Sequence, residues 1–312
     1  MIRVKHGTIT DAMHGAGWEM KFGIQTLFGG PVASRPDYVV AAGKALEERG
    51  FSHLWAAEHV VNFEHYRSRY PYSDDGVPPF RAETGILEPF TVLSFLAAHT
   101  REIQLGSGIT ILPQRNPVYL AKQAADVDVL SGGRLVLGVG VGWAAEEYEA
   151  LGVSFDRRGA RAHDYLQVIR SLWCDSVSSF EGEFYRLPAC VQGPKPVRKP
   201  HPPIYVGGES DAALRRVAEF GQGWMGYRLT PETLPERLHR LSAMLAERGR
   251  ELADIEIAVS PYDARCDLDT VKRFAELGVG QLILVGFADS LDDLMRQLDG
   301  IAETLIVPGT RL

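Results

Sequence analysis

The residues best suited to bind an anion lie where an apolar stretch ends and a helical pattern begins. Val206 is followed by Gly207, Gly208, Glu209 and Ser210, and the helical pattern opens at the serine. Backbone N–H groups and the positive end of a helix dipole meet at such a turn, and glycine lets an anion approach the main chain without meeting a Cβ atom. An ordinary strand-to-helix turn capped by a serine hydroxyl requires the same residue types. The motif alone therefore indicates either a phosphate site or a capped turn.

Other residues that could take part in a reaction also follow apolar stretches. His59 comes after the second stretch, where a histidine could transfer protons or simply belong to a surface loop. Gly106 and Gly108 interrupt the third stretch, and glycine there allows a bulge or an unusual peptide against a flat ligand. Later stretches end in Val141, Gly142 and Trp143, in Tyr227 and Arg228, and in Tyr262. Glycines and aromatic residues with few acids favour a planar, phosphorylated cofactor.

Two other kinds of active site fit the sequence poorly. A metal-dependent hydrolase of the barrel type would carry a His-x-His pair at the end of the first strand, but that strand ends in Gln25 and Thr26. Later acids and histidines share a single loop, so no metal site is predicted; these are Glu58, His59, Glu64 and His65. The Gly-x-Ser-x-Gly spacing of a nucleophile elbow is also missing.

The composition is typical of a soluble globular protein. Across 312 residues the net charge is −7, and no concentrated basic face is evident, so nucleic acid is not an expected partner. The three cysteines are far apart and include no Cys-x-x-Cys pair, which predicts neither disulfides nor zinc and fits a reducing cytoplasm. No apolar run approaches the roughly 20 residues that span a bilayer, and no membrane association is expected.

Apolar and helical segments alternate along the chain, which predicts a parallel sheet with crossover helices. The predicted strands cover residues 21–26, 53–57, 103–109, 135–139, 203–206, 223–225, 255–260 and 281–285. The predicted helices cover residues 36–49, 88–100, 117–130, 158–173, 211–220, 231–248, 268–277 and 291–306. Eight such units favour a closed eight-stranded parallel β/α barrel of the TIM type. A doubly wound open sheet is the alternative, but the glycine fingerprint expected after its first strand is missing.

Two segments interrupt this alternation. Residues 59–87, here called the lid loop, are rich in aromatic and charged residues, and a loop of that length is usually functional or mobile. Residues 177–185 alternate about a Glu-Gly pair and predict a β-hairpin before the fifth strand. We expect residues 20–312 to form a single domain and residues 1–19 to be a peripheral or disordered extension.

Three blocks of the sequence resemble the bacterial luciferase-like superfamily, which comprises flavin monooxygenases and coenzyme F-420-dependent oxidoreductases. The blocks are residues 130–143, with the sequence LSGGRLVLGVGVGW, residues 193–196, with the sequence GPKP, and residues 202–210, with the sequence PPIYVGGES. The resemblance covers nearly the whole chain after Met20. It implies a barrel whose mouth holds the ring of F-420 or FMN, and it suggests a cytoplasmic homodimer.

The resemblance also implies roles for individual residues. The cofactor phosphate would lie on Gly207, Gly208, Glu209 and Ser210 near the backbone of Val141 and Gly142, and a non-proline cis peptide under the ring would join Gly108 to Ile109. His59 matches a histidine beside the reacting carbon of deazaflavin-dependent dehydrogenases. Trp143 stands where those dehydrogenases have a proton-donating glutamate, so we expect it to pack on the ring or substrate. Substrate contacts are predicted for Phe63, Tyr227 and Arg228.

The choice of cofactor decides the chemistry. A reduced flavin can activate oxygen, whereas a 5-deazaflavin serves as a hydride carrier. The three blocks favour F-420 as the cofactor and hydride transfer to or from a small organic substrate as the reaction. We expect the lid loop to close over the site. An FMNH2-dependent monooxygenase and a non-catalytic flavin-binding protein are the alternatives.

Overall fold

Eight parallel strands close into a barrel in the computed structural model of the chain, which describes residues 20–26, 28–80, 82–262, 266–288 and 290–309. The strands are β1 (Lys21–Thr26), β2 (His53–Ala56), β3 (Gln104–Ser107), β4 (Leu135–Gly140), β5 (Ile204–Gly207), β6 (Gly223–Tyr227), β7 (Glu256–Ser260) and β8 (Gln281–Val285). Closure is complete because β1 pairs with both β2 and β8, and β3 pairs with β4. The predicted TIM-type barrel is confirmed. The predicted extension, residues 1–19, lies outside the described residues.

Helices surround the barrel. They are α1 (Pro36–Glu48), α2 (Pro89–His99), α3 (Pro117–Ser131), α4 (Ala145–Ala150), α5 (Arg158–Cys174), α6 (Asp211–Phe220), α7 (Leu234–Ala246), α8 (Leu268–Glu276) and α9 (Leu291–Ile301). Proline begins α1 and α3, where its fixed φ angle suits the first turn. Pro231 does not begin α7 as predicted, because Thr230 and Thr233 form a turn there and Pro235 takes the first-turn position. None of the helices among the described residues has the length and apolar character needed to cross a membrane.

Apolar side chains form two cores. The larger core lies between the strands and the helices, and it includes Leu120 and Val127 of α3. The smaller core fills the barrel interior around the fully buried Trp55. A Cβ atom on Gly106 would lie 2.2 Å from Cε3 of Trp55, so this glycine makes room for the indole ring rather than for a ligand.

Both predicted insertions are present. A hairpin precedes β5, and its antiparallel strands are Ser178–Glu181 and Arg186–Cys190, so the second strand begins just after the predicted span of residues 177–185. The lid loop connects β2 to α2 over the carboxyl ends of the strands. The end of the lid loop is anchored to the segment after β1, where Gly29 bridges to Ile86 and the backbone N–H of Leu87 donates to the carbonyl of Phe28. The barrel thereby presents one covered mouth at the end where β/α barrels carry their active sites.

Candidate functional site

A cavity of about 230 Å³ lies at the carboxyl ends of the strands, beneath the lid loop. Most of the predicted site residues line it: His59, Gly108, Ile109, Val141, Gly142, Trp143, Gly207, Gly208, Ser210 and Tyr227. The sequence did not single out several others for the site: Glu58, Tyr70, Tyr72, Ile111, Arg216 and Met225. Residues contributed by separate strands, helices and the lid loop thus meet at one mouth.

A larger cavity of about 530 Å³ lies at the opposite end of the barrel, where the strands begin. Met20, Lys21, His53 and Glu256 are among its lining residues, and Lys21 forms an ion pair with Glu256 there. The amino ends of strands in β/α barrels serve stability rather than chemistry. We therefore assign the active site to the smaller cavity.

The turn after β5 has free donors at the helix that follows it. Ser210 caps α6 by accepting a hydrogen bond from the N–H of Ala213, and Gly208 has a φ angle of 111°, which side chains rarely tolerate. The N–H of Gly208 is already directed to the carbonyl of Met225 at 3.3 Å. The remaining donors are the first N–H groups of α6 and the hydroxyl of Ser210. The start of the helix, next to the two glycines, therefore has donors suited to an anion.

Arg216 adds a positive charge beside this helix start. It lines the cavity, and within the described chain no carboxylate pairs with it. Burial, together with the charges of Arg158 and Arg215, lowers its pKa, yet a guanidinium stays protonated in proteins. A partly buried cation without a counter-ion is unfavourable, so Arg216 calls for an anionic ligand. Sequence reasoning missed Arg216, because arginines on helices are usually exposed.

The floor of the cavity is the peptide between Gly108 and Ile109, which is cis as the resemblance predicted. The side-chain amide of Gln25 donates to the carbonyl oxygen of Gly108 at 2.7 Å. Gly140 faces Ile109 so closely that a Cβ atom there would lie 1.9 Å from its Cδ1 atom. The glycine of β4 therefore allows the isoleucine side chain to lie across the barrel mouth as an apolar shelf.

His59 is held from one side by a buried acid. Its Nδ1 atom lies 3.0 Å from Oε1 of Glu147, and the two side chains are 16% and 1% exposed. A carboxylate only accepts, so Nδ1 donates and Nε2 is left as the acceptor in the neutral ring. Glu147 belongs to α4, a six-residue helix that was not predicted, and its charged sequence resembles that of an exposed turn. The sequence could not show that this acid turns inwards.

An aromatic cluster covers His59 from above. Phe80 lies 5.0 Å from the imidazole, and Trp143 packs against Tyr66 and Tyr70 at centroid distances of 5.0 and 5.2 Å. The predicted packing of Trp143 on a ring or substrate is compatible with this position, although its present partners are tyrosines. The cluster shields the histidine from bulk water and leaves an apolar wall opposite the shelf.

A second aromatic contact closes the other side of the mouth. Tyr72 of the lid loop packs edge-on against Tyr227 at the end of β6, with the ring centroids 4.7 Å apart. Burial raises the pKa of the Tyr72 hydroxyl far above its usual range. Tyr72 is therefore a neutral donor at every physiological pH.

Three predicted site residues do not line the cavity within the described chain. Phe63 packs against Tyr66. Arg228 pairs with Asp74 of the lid loop at 2.9 Å. The carboxylate of Glu209 accepts from the N–H of Tyr227 at 2.7 Å and from the hydroxyl of Tyr72 at 3.5 Å. Burial raises the pKa of Glu209 to about 7 in spite of these hydrogen bonds.

Two further acids, Glu146 and Glu58, hold segments around the cavity in place. Glu146 accepts hydrogen bonds from the lid-loop N–H groups of Arg67 and Ser68 at 2.5 and 2.9 Å. Glu58 forms a buried ion pair with Arg115 and accepts from the N–H of Ile111 at 2.6 Å. The described residues contain no group of three or more acids, histidines or cysteines arranged to bind a metal.

Within the described residues, a β/α barrel carries an arginine without a carboxylate partner beside a helix start, an apolar shelf and an aromatic cover, features suited to a planar, phosphorylated cofactor. Residues 20–262 match the family model for luciferase-like monooxygenases. The chain belongs to this family, whose members are oxidoreductases with flavin-type cofactors and small-molecule substrates.

Individual relatives support the assignment. An uncharacterized protein of Mycobacterium tuberculosis is 33% identical over 278 residues, which is 86% of this chain and 94% of the relative. The FMNH2-dependent dimethylsulfone monooxygenase of Pseudomonas putida is 34% identical over 189 residues, 60% of this chain and 51% of that protein. The structure of an F420-dependent secondary alcohol dehydrogenase with an F420-acetone adduct superposes with a TM-score of 0.74 at 18% identity, covering 94% of this chain and 100% of the other. This last similarity supports the fold.

Proposed function

We propose that the protein binds coenzyme F-420 and transfers hydride between it and a small organic substrate. The observation that carries this proposal is the pair of His59 and Glu147 at a cavity lined by apolar and aromatic groups. When hydride adds to a carbonyl carbon, the oxygen must gain a proton, and the reverse reaction must lose one. A histidine backed by a carboxylate serves both directions.

The residues of the cavity fit a cofactor of this type. Arg216 and the start of α6 offer charge and donors to a phosphate group, and the Ile109 shelf offers a flat apolar surface to a ring system. When bound, the deazaflavin would supply a carbon that accepts or releases hydride. We propose that Gly207, Gly208 and Ser210 lie around the phosphate and that Val141, Gly142 and Trp143 lie along the ring.

The covered cavity is too small for the whole cofactor. Ligand pockets usually have volumes of roughly 300 to 1,000 Å³, whereas this cavity has about 230 Å³. Tyr70 and Tyr72 of the lid loop line it. We therefore propose that the lid loop opens for binding and closes again to exclude water during the reaction.

An FMNH2-dependent monooxygenase is the second candidate. Its support is the relative from Pseudomonas putida, whose 34% identity exceeds the 18% shared with the alcohol dehydrogenase. The same shelf and anion site suit FMN, because both cofactors carry a tricyclic ring and a phosphate. In that reaction His59 would hold or move a proton near the ring. A flavin-binding protein without turnover is the third candidate. The pair of His59 and Glu147 disfavours it, because binding alone needs no proton transfer.

Fluorescence titration with F-420 and with FMN tests the proposal. We expect F-420 to bind with a Kd of about 10 μM or below and FMN at least about tenfold more weakly. Tighter binding of FMN would replace the proposal by the monooxygenase candidate, and binding of neither would overturn the cofactor assignment. If F-420 binds but no reduction or oxidation of it is seen with a panel of small alcohols, ketones and enones, the hydride-transfer step fails.

Two broader expectations stay predictions. We propose that residues 20–312 form one domain and that the protein is a cytoplasmic homodimer, as the family resemblance implies. Light scattering on the eluted protein measures its mass directly, and a mass of one chain, 34.4 kDa, would contradict the dimer.

A further inference from the structure

Glu147 makes a single described hydrogen bond through its side chain, and that bond goes to His59. Oε1 lies 3.0 Å from Nδ1 of the imidazole, while Oε2 is buried and has no hydrogen-bond partner among the residues that the structure describes. The residue as a whole is 0% exposed. Burying a carboxylate with one neutral partner is unfavourable, because most of its hydration is lost without replacement. A purely structural role would call for more partners than this.

Its neighbour Glu146 shows what a structural acid at this place looks like. Glu146 lies on the same helix and is also buried, and its Oε2 likewise lacks a described hydrogen-bond partner, but its Oε1 accepts from two backbone N–H groups of the lid loop. Its contacts join two segments of the chain. Those of Glu147 join the helix only to the imidazole that lines the cavity. The two adjacent acids therefore have different roles.

The contact fixes which nitrogen of His59 carries the proton. Because a carboxylate accepts and does not donate, the neutral ring keeps its proton on Nδ1. Nε2, on the other edge of the ring, makes no hydrogen bond within the described chain and is free to face a ligand. Phe80 and Trp143 pack against the ring and limit its rotation, with centroid distances of 5.0 and 6.2 Å. The imidazole is thus oriented as a base through Nε2 when neutral and as an acid when protonated.

We propose that Glu147 is the positioning residue for proton transfer, holding His59 in the Nδ1–H tautomer and balancing the charge of the imidazolium, an inference that rests on the proposed hydride transfer. When an alcohol is oxidised, its O–H bond breaks and the proton passes to Nε2. The C–H bond of the same carbon also breaks, and a deazaflavin bound in the cavity would accept its electron pair as hydride. In the reverse direction Nε2 returns the proton to the carbonyl oxygen. Glu147 only accepts the hydrogen bond from Nδ1 in this step, and no proton passes to or from it.

Nitrogen NMR of the cofactor-free protein tests the tautomer without depending on any activity. Long-range proton–nitrogen spectra of ¹⁵N-histidine-labelled protein at about pH 8, where imidazole is mostly neutral, distinguish the two tautomers. The signals of His59 are identified by their loss in His59→Asn. We expect the Nδ1–H tautomer in the wild type and a mixture with Nε2–H in Glu147→Gln, because the amide can either donate or accept. Glu146→Gln is the matched control and should leave the His59 signals unchanged.

Kinetics of the loaded enzyme then test the consequence. We expect Glu147→Gln to lower kcat about 100-fold or more while KM changes less than about threefold, and Glu147→Asp to recover part of kcat. An Nε2–H tautomer in the wild type, or an unchanged tautomer in Glu147→Gln, would overturn the inference even if F-420 binds and turns over. Conversely, the expected tautomer in a protein that binds no F-420 would leave the His59–Glu147 arrangement standing while removing the proposed reaction.

Discussion

The carboxylate of Glu209 accepts a hydrogen bond of 2.7 Å from the backbone N–H of Tyr227. This contact links the turn after β5 to the end of β6, and a longer contact of 3.5 Å extends it to Tyr72 of the lid loop. The acid that follows the two glycines therefore connects the anion site to the cover of the cavity. It does not itself line the cavity among the described residues.

The buried position of Glu209 makes the stability of the protein depend on pH. Burial raises its pKa from 4.5 to about 7. Below about pH 4.5 the group is protonated in both the folded and the unfolded chain. Between that value and about pH 7 the unfolded chain loses the proton first, so the stability contributed by the protonated acid is lost as the pH rises. Above about pH 7 the loss is complete and amounts to about 3 kcal/mol, at 1.36 kcal/mol per unit.

Glu209→Gln should remove this dependence, because the amide stays neutral. We expect the free energy of unfolding of the wild type, relative to the variant, to fall by about 2 to 3 kcal/mol between pH 5 and pH 8. Urea unfolding at both pH values measures the difference. The exposed Glu303 provides the control, and Glu303→Gln should parallel the wild type. Equal slopes for the wild type and Glu209→Gln would contradict the raised pKa.

Arg216 should matter for the cofactor more than for the fold. A charge-assisted hydrogen bond contributes about 1.5 to 3 kcal/mol, so Arg216→Ala should weaken F-420 or FMN binding about 10- to 100-fold. Thermal stability without cofactor should stay the same or rise, because the variant removes a partly buried cation without a counter-ion. Arg215→Ala is the matched control, since Arg215 is exposed on the same helix. Similar losses of affinity in both variants would remove Arg216 from the anion site.

The barrel was predictable from the sequence because each of its units is local. A short apolar strand, a capped helix and a turn residue are recognised within about 30 residues, and alternation then limits the fold to few topologies. The turn at Gly207 and Gly208 and the cavity position of His59 follow directly, since β/α barrels gather their strand ends at one mouth. The cis peptide at Gly108 and Ile109 came from the family resemblance rather than from the residue types.

The charged parts of the site could not be predicted because they depend on distant partners. In the sequence, Arg216 and Glu147 are typical of exposed helical residues. Only in the folded chain does Arg216 line the cavity and Glu147 contact His59. Glu209 was expected at the phosphate, but a hydrogen bond to a neighbouring strand turns it elsewhere. Gly106 was expected near a ligand, whereas Trp55 occupies that space. Sequence periodicity predicts which face of a helix or strand is buried and where the chain turns, but it does not predict which residue pairs with a buried charge.

Glu146 should control how firmly the lid loop is closed. Its carboxylate is the acceptor for the N–H groups of Arg67 and Ser68. Glu146→Ala leaves both donors without this partner, and we expect cleavage within residues 59–87 by a broad-specificity protease to be at least about tenfold faster, equivalent to about 1.4 kcal/mol in the opening equilibrium. Glu149→Ala is the control, because Glu149 is exposed and its described ion pair is with the exposed side chain of Arg67. Equal cleavage rates in both variants would show that the lid loop is held by its aromatic contacts instead.

The shelf under the ring depends on the absence of a side chain at Gly140. A Cβ atom there would lie 1.9 Å from Cδ1 of Ile109 and 3.3 Å from its Cγ1, so Gly140→Ala must push the end of the isoleucine towards the cavity. Since a side-chain end can rotate, the fold should lose only about 1 kcal/mol, whereas cofactor affinity should fall about tenfold or more because the ring loses its flat surface.

Ile109→Val removes the Cδ1 atom, and the double variant Gly140→Ala/Ile109→Val should therefore recover most of the affinity, with Ile109→Val alone near the wild type. Fluorescence titration gives the affinities and urea unfolding the stabilities, and the four proteins form a double-mutant cycle. Additive losses of affinity, with no recovery in the double variant, would mean that Gly140 and Ile109 do not act together as the shelf.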